Sequence, residues 1–465
     1  MRGAIIVIDL GKTLSKVTLW TRDGRLLDRQ ARPNRPVLVH GILRLDVDGI
    51  GAWLLTALAA YASHPIEAII PVGHGAGIAA LSDNKLAFLP LDYEQPIPEP
   101  VMAAYRAMRD PFAVSGSPAL PDGLNLGSQI HWLETLYPEI MADAVLLPWA
   151  QFWAWFLTGR AVSEVTSLGC HSDIWCSGES RFSPIAKRHG WSERFAPLVR
   201  ASDVVGTLLP GLAARTGLSE GVTILAGLHD SNAALLAARG FDEIALKEAT
   251  ILSTGTWFIA MRLPGEVVFA SALSEARDCL VNIDAYGQPV PSARFMGGRE
   301  IESVIEIDTR RVDIKPDQPA LLVAVPKVVA SEAMMLPTLA PGCGPFPGNQ
   351  GGWRHAPGDW HERRAAMCLY AALVADVSLD LIGSRSRLLI EGRFAEAEVF
   401  VRALASLRPE TEVLTANAHN DVSFGALRLL DPRLKPQGEL RRVVPLDIDL
   451  SAYRAAWRAA AGEPA

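Results

Sequence analysis

The sequence predicts an α/β protein of two domains, roughly 1–238 and 239–465, and three observations lead there. A continuous apolar run, Ala4-Ile5-Ile6-Val7-Ile8, ends abruptly in a polar glycine turn and returns as an alternating strand. The same phrase of strand, small polar turn and strand recurs between Ile244 and Met261. Each occurrence is followed by a helical segment and a further apolar strand, an order that builds mixed layers of helix and sheet. Identity between the halves is negligible, so the repeat is one of architecture.

The elements follow in order. Ala4 to Ile8 is β-branched and uninterrupted, the mark of a strand buried on both faces, and Asp9-Leu10-Gly11 closes it. Lys16 to Trp20 alternates polar and apolar, and Asp23-Gly24 is a hairpin signal before the chain returns at Arg25. Val47 to Ala62 carries Ile50, Trp53, Leu54, Leu58 and Tyr61 at helical spacing, and Ile66 to Val72 reads as the next strand. Trp149, Phe152, Trp153, Trp155 and Phe156 form the core face of a helix. Val222 to Ala226 is strand-like and Ala233 to Ala238 helical. In the second half, Ile244 to Leu252 reads as a strand, Ser253 to Thr256 as a turn and Trp257 to Met261 as the returning strand. A helix over Trp360 to Ile382, a strand over Arg387 to Ile390, a turn at Gly392 and a helix over Ala395 to Leu407 complete it. Pro341 to Gly358, rich in glycine and proline, reads as a surface loop, with a functional flap as the alternative.

Composition narrows the function. The 465 residues are 49% hydrophobic and 20% charged, enough apolar mass for a large core. A net charge of −7 without a basic stripe argues against nucleic acid as partner. No apolar stretch reaches the length of a membrane span; Ala144 to Leu157 comes nearest and is broken by Pro148 and Gln151. The apolar start is too short for a signal-peptide core. Five scattered cysteines form no Cys-x-x-Cys pair and read as reduced thiols, so a cytoplasmic protein is expected.

Four segments carry chemistry. Asp9-Leu10-Gly11-Lys12-Thr13-Leu14-Ser15-Lys16 contains Gly-Lys-Thr, yet the leading glycine of a P-loop would fall at Ile6, so that reading fails. A hairpin offering backbone N–H groups, hydroxyls and lysines to a phosphate chain fits better, with Asp9 placed to hold Mg²⁺ through water; the alternative is an ordinary turn. In Gly227-Leu228-His229-Asp230-Ser231-Asn232, Asp230 stands at a helix start, where a carboxylate is either an N-cap or a general base. Ser253-Thr254-Gly255-Thr256 is a second turn able to approach phosphate closely. Glu391-Gly392 precedes a helix, and Asn417 to Asp421, with Asn420, precedes Val422 to Ala426. Phe295 to Glu300 is a suspected cleft element, with Arg299 either near a ligand or in an internal ion pair.

In that order the segments resemble the FGGY sugar-kinase family of the actin-like ATPase superfamily, over almost the whole chain. Asp9 to Lys16 is similar to the family's first phosphate motif, with Lys12 in place of the usual first threonine, and Ile251 to Trp257 to the second. Leu157-Thr158-Gly159 and Glu164 to Ser167 fit intervening elements, Glu391-Gly392 replaces the usual glycine pair, and His229 before Asp230 is similar to the rhamnulokinase and fuculokinase branch. The resemblance implies two actin-like (ribonuclease H-like) domains flanking a catalytic cleft. It implies ATP and Mg²⁺ as cofactors, Asp230 as catalytic base, and metal contacts from Asp9 and Asp230. Sugar would be bound by His74, His229 and Asp230; nucleotide by Gly11, Lys12, Thr13, Lys16, Ser253, Thr254, Gly255, Thr256, Gly392 and Asn420. The implied reaction is phosphorylation of a ketose, with a 6-deoxy-ketohexulose such as L-rhamnulose or L-fuculose favoured. Alternatives are a pentulose or polyol (xylulose, ribulose, glycerol, erythritol), another actin-like phosphatase or ATPase, and a non-catalytic sugar sensor, against which the presence of Asp230 weighs. The expected partner is a small-molecule sugar, without nucleic acid or membrane; a homodimer is left open.

Overall fold

The computed structural model describes residues 3–263, 270–309, 313–416 and 422–463. In the first half, β1 (Ala4–Leu10), β2 (Leu14–Trp20) and β3 (Leu26–Pro33) form a meander. Helix α1 (Val47–Ala59), β4 (Ile66–Gly73), α2 (Trp149–Thr158), β5 (Val204–Thr207), β6 (Thr223–Leu225), β7 (Leu228–His229) and α3 (Asp230–Ala238) follow. The sheet order is β5-β6-β4-β1-β2-β3, with β7 also on β4. The apolar run of β1 is buried at every residue because neighbours flank it and helices cover both faces. Ile6 and Ile8 pack on the α1 and α2 side with Leu54, Leu58 and Trp153, while Ile5 and Val7 pack on the α3 side with Leu236 and Ala237. That is the period-two alternation of a central strand.

The second half repeats the plan. It contains β8 (Ala249–Thr254), β9 (Phe258–Leu263), β10 (Cys279–Ile283), β11 (Pro289–Phe295), α4 (Gly297–Ile305), α5 (Trp360–Leu381), β12 (Arg387–Gly392), β13 (Glu412–Ala416), α6 (Val422–Leu427) and β14 (Leu440–Arg442). The order is β10-β11-β9-β8-β12-β13-β14. In both sheets the first strand is antiparallel to its hairpin partner and parallel to the strand after the helix, as β1 is to β2 and β4, and β8 to β9 and β12. The long helix α5 is buried from Arg364 to Leu379, which its alanine-rich sequence permits by letting neighbours approach on all sides.

The two sheets share a helical layer. Leu236 and Ala237 of α3 pack on the first sheet, whereas Leu235 and Ala238 pack on the second. Helix α6, from the second half of the chain, packs beside α3, and its Phe424, Ala426 and Leu427 join the first-half core. Gly425 permits this crossing, since a Cβ there would lie 1.7 Å from the Ala233 carbonyl oxygen.

Three expectations need correction. Ile244 begins no strand: Asp242–Ala245 is a helical turn, and β8 starts at Ala249. An apolar run fits either state, and the Phe241 N-cap position starts a turn of helix first. The helix expected from Ala395 starts at Glu398, after a 3₁₀ turn over Arg393–Glu396. Pro341 to Gly358 is more than a surface loop: Gly342, Cys343 and Pro347 line the central cavity, and Gly352–Arg354 pairs with Met334–Leu336. All five cysteines are free thiols. No helix among the described residues is long and apolar enough to cross a membrane.

Candidate active site

Strand register gathers the first-half site. Leu10 of β1 pairs with Gly73 of β4, and Gly73 pairs in turn with His229 of β7. The turn after β1, His74 after β4, and Asp230 after β7 therefore project from one end of the sheet. Gly227 makes the last of these possible: its φ is +76°, and a Cβ there would lie 1.9 Å from the Pro71 carbonyl oxygen. His74 and Asp230 face a cavity of about 530 Å³ walled by both halves, lined among others by His229, Trp257, Asn282 and Arg299.

Asp230 is the first residue of α3, and the N-cap position belongs to His229, whose side chain makes no cap bond. The N-cap reading of Asp230 is thereby corrected. Its Oδ1 accepts from the Ser231 N–H at 2.6 Å and lies 3.1 Å from His229 Nε2; Oδ2 has no described partner. The side chain is 31% exposed, toward the cavity. Burial would raise its pKa, but His229 outweighs that and holds it below the usual carboxylate range. The group is thus ionised near neutral pH and able to accept a proton.

His229 is fixed from behind. Its backbone N–H donates to Thr166 Oγ1 at 3.0 Å, and that hydroxyl donates to the buried Glu164 Oε2 at 2.5 Å. Burial pushes the Glu164 carboxyl up to about 7. Cys170 Sγ lies 3.7 Å from His229 Nε2. His74, 8% exposed, packs near the Tyr93 and Trp149 rings at 5.5 and 5.7 Å, and neither ring nitrogen has a hydrogen-bond partner. Burial pushes it down to about 4, so it is neutral at neutral pH.

The residues read as nucleotide contacts divide by what they touch. In the first turn, Gly11 is pinned by Asn34, whose Nδ2 donates to the Gly11 carbonyl at 2.8 Å, and Thr13 is exposed. Lys12 forms an ion pair with buried Asp92 and lies 5.0 Å from the Tyr93 ring centroid, at the His74 side of the turn. Lys16 Nζ lies 3.1 Å from Asp9 Oδ2. In the second turn, Thr256 is exposed, Ser253 is half-buried, and a Cβ at Gly255 would meet only the Trp257 carbonyl, at 3.7 Å. That leaves an open cradle over the Gly255 backbone. Gly298 packs so closely under it that a Cβ there would lie 1.9 Å from the Gly255 oxygen. The Thr254 hydroxyl donates to the Glu391 carbonyl at 2.5 Å and accepts from the Phe394 N–H at 3.1 Å, so it joins two turns instead of facing outward. Gly392, in register with Thr254, has φ +86°. Asn420 lies outside the described residues.

Among the described residues no group of three or more His, Cys, Asp or Glu side chains could cage a metal. Asp9 and Asp230 as single carboxylates suit Mg²⁺, which takes one or two protein oxygens and completes its shell from phosphate and water. Sequence reasoning missed Asn34, Asp92, Tyr93, Cys170 and Asn282, none of which lies in a recognisable segment.

Residues 246–437 match the model of the carbohydrate kinase FGGY C-terminal domain. A crystal structure of a carbohydrate kinase from Novosphingobium aromaticivorans is 70% identical, covers 98% of this chain and 100% of that one, and superposes with a TM-score of 0.93. The chain belongs to the FGGY carbohydrate kinase family. Among FGGY proteins, the L-fuculokinase of Escherichia coli is 27% identical over 286 residues, 55% of this chain and 56% of that protein. The chain thus spans about half the length of the curated relatives it matches. The structure of Plasmodium falciparum glycerol kinase with ADP shares the fold, with a TM-score of 0.79 at 13% identity, over 99% of this chain and 97% of that one. The FGGY fold is a pair of actin-like domains, and the two matching sheets are that pair.

Proposed function

We propose that the protein phosphorylates a hydroxyl of a ketose at the expense of ATP, with L-fuculose or L-rhamnulose as the favoured acceptor. The observation that carries this reading is the ionised Asp230 carboxylate, backed by His229, in a cavity that also holds the unpartnered His74. Support for the 6-deoxy-ketohexulose comes from the His229-Asp230 pair and the likeness to L-fuculokinase. Domains of 1–238 and 239–465 would supply the sugar and nucleotide sides respectively.

Asp230 would take the proton of the attacking hydroxyl, with His229 orienting the carboxylate through its 3.1 Å contact. His74 would bond a sugar hydroxyl. Mg·ATP, when bound, supplies the transferable phosphoryl group and the cation that offsets its charge. The backbone of Gly11 and Gly255, with Thr13 and Thr256, would cradle the phosphates; Asp9 and Asp230 would hold the metal. Closure of the two halves would exclude water, the competing nucleophile.

ADP release measured across L-fuculose, L-rhamnulose, D-xylulose, D-ribulose, glycerol and erythritol tests the reading. Turnover strongest on a 6-deoxy-ketohexulose supports it. Turnover confined to a pentulose or polyol would replace the acceptor, and ATP hydrolysis indifferent to sugar would point to an ATPase.

A further inference from the structure

The cavity contains a second polar group that no part of the phosphotransfer scheme uses. Asn282 lies on β10, in the wall contributed by the second half, and is 3% exposed. Its Nδ2 donates to Ser292 Oγ at 2.9 Å. That hydroxyl has a single hydrogen, which goes to the Val290 carbonyl at 2.9 Å, so it can only accept from Asn282. The amide orientation is therefore fixed, with Nδ2 on Ser292 and Oδ1 left without a partner. A buried carbonyl oxygen of this kind calls for a donor.

We propose that Asn282 is a specificity-determining residue that accepts a hydrogen bond from a hydroxyl of an uncharged polyol, which His74 engages from the opposite wall. The proposal rests on the sugar-kinase reading above and adds the class of acceptor and its contact in the second half. Asn282 shares the cavity lining with His74, His229 and Asp230, and contacts of its neighbours on the strand hold that wall against the first half. The next residue, Ile283, abuts Gly169, where a Cβ would lie 2.5 Å from Ile283 Cγ1. Cys170, next to Gly169, approaches His229 at 3.7 Å. The strand carrying Asn282 is tied to the first half, since the Val281 N–H donates to the Gly116 carbonyl at 2.9 Å and Ser177 Oγ donates to the Val281 carbonyl at 3.2 Å.

The charge pattern selects a neutral ligand. Lys12 is paired with Asp92, and Arg294 Nε donates to Asp278 Oδ1 at 2.8 Å. Arg299 also lines the cavity, but the carboxylates there, Glu94, Asp122, Asp230, Glu275 and Asp278, outnumber it and the paired Arg294. A sugar acid would bring its carboxylate against Asp230 and the Asn282 oxygen, both acceptors. A hydroxyl can donate to Asn282 Oδ1 and accept from a His74 N–H, so a polyol satisfies both walls.

The test is calorimetric titration of the full chain, without nucleotide, with L-fuculose, L-rhamnulose, D-xylulose, glycerol and D-gluconate. Turnover is measured alongside. Asn282→Leu keeps the side chain's approximate volume and removes the acceptor. It should weaken binding of the best neutral sugar by about 10–100-fold while the KM for ATP stays put. Ser292→Ala removes the internal bond but keeps the carboxamide, and should change sugar affinity less than about threefold. A purely structural role predicts equal effects from the two variants. Equal effects, an Asn282→Leu affinity within about threefold of wild type, or D-gluconate as the tightest ligand would each overturn the proposal. Sugar binding of the expected pattern with no phosphorylation of any acceptor would instead overturn the kinase reading and leave this one standing.

Discussion

Glu391 and Asp230 are carboxyl groups held in opposite states by their surroundings. Asp230 is kept ionised by His229, whereas burial pushes Glu391 up to about 8 and its Oε1 has no hydrogen-bond partner. The sign of the Glu391 effect follows from proton counting. Above the ordinary glutamate range the unfolded chain has released this proton while the folded chain retains it. Stability therefore falls as pH rises from about 4.5 to about 8. Glu391→Gln removes that dependence, so thermal melts should show its advantage over wild type growing from near zero at pH 5 to about 2–4 °C at pH 8.5. A constant difference across that range would show that Glu391 ionises freely in the folded protein. At this scale the sequence was legible in placement, where a residue's type and its position at an element's end agree, as for His74 after a strand and Asp230 at the start of a helix. Asn282 and Asp92 were not legible. Their partners, Ser292 and Lys12, matter only once β10 and the segment after Leu91 fold onto the cavity.

The turns between elements divide into those that open outward and those that hold the sheet. A Cβ at Gly255 would enter open space, so Gly255→Val should fold as wild type does and lose ATP binding in calorimetry. Unaltered ATP affinity would remove the second turn from the nucleotide site. Gly392 behaves in the opposite way. Its φ of +86° and the 2.1 Å from a Cβ to the Thr254 carbonyl oxygen mean that Gly392→Ala should cost about 3 kcal/mol in denaturant unfolding. A loss below about 1 kcal/mol would show that the backbone there relaxes. The sequence announced both turns through glycine between strands, but their difference lies in what faces each glycine. The run from Ile244 misled for a related reason. Apolar character marks burial, and a helical turn and a strand bury equally well.

For the whole molecule, the repeated strand-turn-strand phrase disclosed the two-fold plan, while the layer joining the halves stayed hidden. Helix α6 returns from the second half to the first-half core, and only its small residues, Gly425 above all, hint at so close a crossing. Because α3 carries Asp230 at its N-terminus and packs on both sheets, movement of one half against the other should be felt at that carboxylate. Small-angle scattering should accordingly record a smaller radius of gyration with sugar and a non-hydrolysable Mg·ATP analogue together than with neither, and an unchanged radius would speak against closure. The most direct test of the account is Asp230→Asn, measured for both sugar affinity and kcat. Asparagine retains an oxygen that can accept from the Ser231 N–H, and the N-cap position is held by His229, so the fold has little reason to change. It cannot take up the hydroxyl proton. The account predicts sugar binding within about threefold of wild type and a kcat lower by about 10²–10⁴; a kcat within about tenfold of wild type, only ~1.4 kcal/mol in barrier, would contradict it.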